Sequence, residues 1–345
     1  MYDFFIGEIK KLRISRESKL ILSVYFLSHG MIFLLISAVF WDDWTVFNQK
    51  PEVLLKVADM AGLPLNGHLK ALMLASGNDL FIYRLLTFVC FMVAGLALNS
   101  TLKNFKSIDP KTRLVVVVLF LVLPLYGARV SINTIYYSIC NAFFFLGFAT
   151  LLYHFRRNAF IWRMVSLFCF FLSFGTHSFL VFYFLPTIYI LISKPSNIAF
   201  RAFLSKALRY ADFILLPIIF VTMKLIYFMP HGIHADYNFI SVSRLTSPKF
   251  FEAFQKIFDF PFLISNNFSL GIIIYFFLSA MLIYYVFNKF LIQDREKRNN
   301  LLKSHINYIW FAAGMLALML ALYPYLVTQH MPDWHDWYSR HQISC

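Results

Sequence analysis

The chain has 345 residues, 60% of them hydrophobic and only 14% charged, with a mean hydropathy of +0.66. An ordinary soluble domain carries roughly a quarter charged residues, so the composition excludes one and points to a chain solvated by lipid. The net charge of +14 is spread along the chain in step with the apolar runs and forms no compact basic patch, which argues against nucleic acid as a partner.

In chain order, Lys10, Lys11, Arg13, Arg16 and Lys19 precede an apolar run over 20–40 that ends in Trp41-Asp42-Asp43-Trp44, with no small-residue cleavage site. An uncleaved membrane anchor is expected there. Apolar runs near spanning length follow at 80–98, 114–127, 134–153, 160–174, 178–193, 211–228, 270–288 and 306–325, roughly nine crossings in all. The stretch 159–193 would reach about 50 Å as one helix, too long for a roughly 30 Å core. It is therefore split at Gly175-Thr176-His177-Ser178, and Pro124 with Gly127 divide 114–153 in the same way. The turns of these two hairpins are expected below the membrane surface, in a protein-lined cavity.

About 21 of the 31 Lys and Arg fall in the N-terminus and the connections 99–113, 154–163, 194–210 and 289–305, all on one side of this scheme. That side is expected to be the cytoplasm. The connections 41–79, 128–133, 175–177, 229–269 and 326–345 hold about ten of the seventeen carboxylates. The expected architecture is all-α: one polytopic integral membrane domain over 1–345, N-terminus cytoplasmic and C-terminus outside.

The first outer connection carries its own pattern. Val53, Leu54, Val57 and Met60 or Ala61 share one face of a helix from Pro51 that Gly62 and Pro64 end, and a second helix follows from about Asn66 to Ala75. Both are expected to lie along the membrane. Phe250, Phe251, Phe254, Ile257 and Phe258 make a similar stripe in 229–269. Cys90, Cys140 and Cys169 fall in apolar runs and Cys345 ends the chain; no CxxC pair occurs, so inert packing is expected rather than disulfides or zinc.

Residues able to do chemistry gather on the outer side. Asp42 and Asp43 are adjacent carboxylates between two indoles, one of them Trp44, an environment that can keep an acid as a base or orient a nucleophilic hydroxyl. The run from His330 to His341 adds Trp334, Asp336, Trp337, Arg340 and His341. Arginine and histidine suit a phosphate or diphosphate, indoles stack on sugar faces, and aspartate accepts sugar hydroxyls. Arg129 and His177 occupy outer turns, and Arg84 sits just inside the second crossing, placed to snorkel outward or to meet a lipid phosphate. The His and Asp spacing matches no metal motif, so no cofactor is expected; a divalent ion is the weaker alternative.

A first helix leaving the cytoplasm, the Asp42-Asp43 pair at its mouth, and a long first loop with membrane-parallel helices together resemble the GT-C class of polyprenyl-phosphate-sugar glycosyltransferases. The topology carries the resemblance, and Asp42-Asp43 is its residue-level match. Such enzymes usually have more crossings, so the chain reads as a truncated member. The resemblance implies a bacterial inner (cytoplasmic) membrane protein of polysaccharide biosynthesis in the cell envelope. It would transfer sugar from a polyprenyl-phosphate-linked donor to a glycan or lipid acceptor on the periplasmic face, with membrane lipid around it. In that reading Asp42 or Asp43 is the catalytic acid that activates or orients the acceptor. Arg340, Arg129 and His341 hold the carrier phosphate, Trp44, Trp334 and Trp337 line the sugar site, and Arg84, His177 and Asp336 are further substrate-binding residues. The alternatives are a transporter or flippase for a lipid-linked sugar and an O-antigen polymerase or ligase.

Overall fold

The computed structural model describes residues 15–30, 49–75, 79–105, 107–122, 131–192 and 200–235, with single positions at 39, 43 and 46. Among the described residues the regular structure is entirely helical. Local sequence explains where the helices start and stop. The first, α1 (Arg16–Tyr25), is capped by the Ser15 hydroxyl, which accepts the Ser18 N–H at 3.1 Å, and passes into a turn of π-helix over Phe26–Gly30. Two short helices follow, α2 (Pro51–Met60) and α3 (Pro64–Ala75), each with proline at its first position, where the missing N–H costs nothing. Gly62 between them has φ +68°, and a Cβ there would collide with the Phe228 carbonyl, so only glycine fits this turn.

The longest elements are α4 (Asp79–Leu102) and α6 (Ile135–Arg157). Both are long and apolar enough to cross a membrane. Between them, α5 (Pro110–Val122) starts where Asp109 Oδ1 accepts the N–H groups of Lys111 and Thr112 at 2.9 and 3.1 Å. A turn of 3-10 helix over Ile132–Thr134 leads into α6, which ends at Asn158 with φ 50°, a left-handed cap after Arg156 and Arg157.

The divided stretch is divided in the structure too: α7 (Phe160–Ser173) stops before Gly175, and the chain resumes as α8 (His177–Phe182) and α9 (Phe184–Ile192). The Tyr136 hydroxyl fills the space that a side chain on Gly175 would need. Last come α10 (Phe200–Arg209), α11 (Ala211–Tyr227) and a 3-10 turn at Gly232–His234. The ends of the predicted runs 20–40 and 114–127, the stripe from Phe250 to Phe258, and the predicted runs 270–288 and 306–325 lie outside the described residues.

Neighbouring long helices pack as α4 on α6, α6 on α7, α4 on α5 and α1 on α5. One core joins Ile21 and Tyr25 of α1, Phe88 and Phe91 of α4, and Val117 and Leu121 of α5, with Tyr25 stacked on Phe88 at 4.6 Å between centroids. A second is built from Phe144, Phe170, Phe174, Phe179, Tyr183 and Phe213. The three inner-run cysteines, Cys90, Cys140 and Cys169, are buried and free. Phe168, Ile218 and Ile226 point away from these cores and are 61%, 60% and 64% exposed. Apolar side chains projecting outward from the helices that form the apolar cores suit a lipid solvent better than water.

Charged side chains pin the helix ends. Glu17 accepts from Arg113 at 2.7 Å and Lys103 at 2.8 Å, and Arg113 also donates to Asn99 at 3.1 Å, tying the start of α1 to the end of α4 and the start of α5. Arg163 at the start of α7 holds Asp212 at the start of α11 through two bonds of 2.6 and 2.8 Å. In α2 the buried residues are Leu54 and Ala58, whereas Val53 and Val57 are exposed. The expected single apolar face is therefore split: one side packs on α3, where Gly67 abuts Ala58, and the other faces outward.

Candidate functional site

Asp43 has no exposed surface. Its Oδ1 accepts the Ser131 hydroxyl at 2.5 Å and the Asn133 backbone N–H at 3.1 Å, so the segment after the first apolar run is bonded to the turn that opens α6. A carboxylate there also lies near the positive end of a helix. The turn is itself braced, with the Thr134 hydroxyl donating to the Ser131 carbonyl at 2.9 Å.

Two cations share this carboxylate's field. Lys70, on α3, donates to the Asn133 side-chain carbonyl at 2.6 Å, and Arg84, on α4 and 3% exposed, is in electrostatic reach of Asp43. Burial pulls the Lys70 ammonium down to about 8, with the Asp43 carboxylate acting in the opposite direction. Tyr83 fixes the geometry between these helices by donating to the Lys70 carbonyl at 3.2 Å. Beneath the group lies an apolar floor of Val46, Leu54, Met73, Tyr83, Ile132 and Ile135. Burying a charge costs several kcal/mol unless partners compensate it. Here one acid and two bases are gathered where the first loop meets the ends of α4 and α6.

Of the residues singled out in the sequence, Asp43 and Arg84 are brought together. His177 is elsewhere: its Nε2 contacts Lys224 Nζ, between the start of α8 and the last turn of α11. Asp42, Trp44, Arg129, Trp334, Asp336, Trp337, Arg340 and His341 lie outside the described residues. Lys70, Ser131 and Asn133 escaped the sequence reading. A signal for Lys70 existed, since it is one of few cations in an outer connection otherwise rich in carboxylates. Ser131 and Asn133 carried none, because common polar residues gain meaning only from what they touch. Among the described residues no three His, Cys, Asp or Glu side chains converge as metal ligands would. Comparison of the chain with protein-family models, curated proteins and solved structures gives no match.

Proposed function

We propose that the chain is an integral membrane glycosyltransferase that moves a sugar from a polyprenyl-phosphate carrier to an envelope glycan or lipid on the non-cytoplasmic face. The observation that carries this reading is the buried Asp43 held by Ser131 and Asn133 beside Lys70 and Arg84. Sugar transfer from a lipid phosphate needs an acid to orient or deprotonate the acceptor and cations to stabilise charge on the departing phosphate. The cluster supplies the cations, and its Asp43 anchors the loop that carries the neighbouring Asp42.

Because Asp43 is fully covered, its part is positioning: it fixes the loop and the α6 turn. Its neighbour Asp42 is assigned the contact with the acceptor hydroxyl. Lys70, which is only partly covered, meets the carrier phosphate, and Arg84, nearly as covered as Asp43, balances the Asp43 charge. In this arrangement the end of the bundle pinned by Glu17, Arg113 and Lys103 is cytoplasmic and the Asp43 end is periplasmic, within a scheme of about nine crossings in a bacterial inner membrane.

In cells, Asp42→Asn abolishes glycan transfer at unchanged protein level, whereas Asp43→Asn lowers transfer and also destabilises the purified protein by about 2–4 kcal/mol, since it breaks a buried charged network. Full transfer by both variants, alone and combined, would remove the reading. Movement of a lipid-linked sugar across vesicles lacking any acceptor would replace it with transport.

A further inference from the structure

A second polar group lies apart from Asp43, and its chemistry is different because it pairs two basic side chains, with no acid bonded to them among the described residues. His177 Nε2 meets Lys224 Nζ, and both residues are half-buried. Lys224 is in the last turn of α11, one turn beyond Phe220 on the same helix face. Phe220 packs edge-on against Phe171 and Phe174 at the end of α7, each at 5.5 Å between centroids. His177 opens α8 just after α7 has ended, so the pair joins that turn to the last turn of α11. That turn is closely packed, since the Tyr136 hydroxyl occupies the space beside Gly175.

We propose that His177 and Lys224 form a second anion site that binds a phosphate group. An ammonium can donate one of its three protons to the lone pair on Nε2, which leaves the imidazole proton on Nδ1. The pair then keeps one full positive charge and three further N–H donors, two on Lys224 and one on His177. Phosphate oxygens match this inventory, and hydrogen bonds to a charged acceptor are the strong ones. The acid of α11 is already committed, because Asp212 at its other end is held by Arg163 at 2.6 Å. A lysine near a helix end can also simply snorkel to water. Lys224 instead turns onto His177. An ionisable group on an apolar helix of this kind marks a ligand path, and the ligand here is an anion. The inference does not depend on sugar transfer, since a carrier, transporter or lipid-binding protein would use such a site equally.

The test uses the full chain in a phosphate-free maltoside detergent, with hexadecyl phosphate as probe and hexadecanol as control, read by native mass spectrometry. Wild type retains hexadecyl phosphate and not hexadecanol. In a Lys70→Gln background, which removes the cation assigned to the carrier phosphate at the Asp43 mouth, Lys224→Gln and His177→Gln each lower the bound fraction about tenfold, and Lys224→Arg keeps it. Inorganic phosphate added in excess distinguishes sources: displacement means that the free ion is the ligand, and resistance means that the phosphate must be lipid-borne. Retention of the probe by both glutamine variants overturns the site. Should those variants not fold, acetylation of lysines in the wild type decides: protection of Lys224 by hexadecyl phosphate supports the site, and unaltered labelling overturns it.

Discussion

Lys70 is the residue whose environment gives the sharpest prediction. In the folded protein burial brings its ammonium down to about 8, so it loses charge through pH 8, well below an ordinary lysine. If Lys70 holds the carrier phosphate, the apparent KM for the lipid-phosphate donor rises several-fold between about pH 7 and 9. In Lys70→Arg, which stays charged, that rise is absent. A KM flat with pH in the wild type would remove Lys70 from the donor site. The stability term has the opposite sign. Between about 8 and the ordinary lysine value the unfolded chain holds more protons, so stability gains from this group as pH rises through that window. The residue scale also marks the reach of sequence reading: Asp42-Asp43 is visible as a local pair, but Asp43 and Asn133 stand 90 positions apart and Lys70 and Asn133 stand 63 apart. Nothing local in the sequence joins them.

At the level of elements, helix ends were legible because their signals are local: Pro51, Gly62, Pro64 and the Gly175 break all act within a few residues of themselves, whereas α5 begins at Pro110, ahead of the apolar run read from 114. The face that α2 buries was not, because Leu54 and Ala58 are chosen by Gly67 on α3, whereas period alone gave Val53 and Val57 equal weight. The clamp of α1 onto α4 and α5 is a further element-scale feature. Partial burial pushes the Glu17 carboxyl up, but Lys103 and Arg113 outweigh it and hold it below the usual range. Its contribution is therefore present above the ordinary glutamate value and lost as pH falls through the lowered one. Glu17→Gln costs about 1 kcal/mol near neutral pH, a modest figure because Glu17 remains about a third exposed. Thermal denaturation of the detergent-purified variant measures it, and the difference from wild type closes toward low pH.

For the whole molecule, the two ends of the helix bundle carry different chemistry, with Glu17, Lys103 and Arg113 at one and Asp43, Lys70 and Arg84 at the other. Reading the first end as cytoplasmic makes a topological prediction. With the natural cysteines replaced, Asp59→Cys is labelled by an impermeant maleimide on intact spheroplasts, and Ser107→Cys is labelled only after the membrane is opened. Both side chains are exposed, so reactivity reports sidedness. Labelling of both on the same side would overturn the proposed arrangement.

The central claim, that the Asp43 mouth transfers sugar from a lipid phosphate, is tested most directly by thin-layer chromatography. Labelled polyprenyl-phosphate sugars are incubated with purified wild type and with the Asp42→Asn/Asp43→Asn double variant, with membrane lipid extract as acceptor. Label is expected to leave the carrier only with the wild type and only when acceptor is present. Folded wild-type protein that consumes none of the carriers, or a double variant that consumes them as fast, would contradict it.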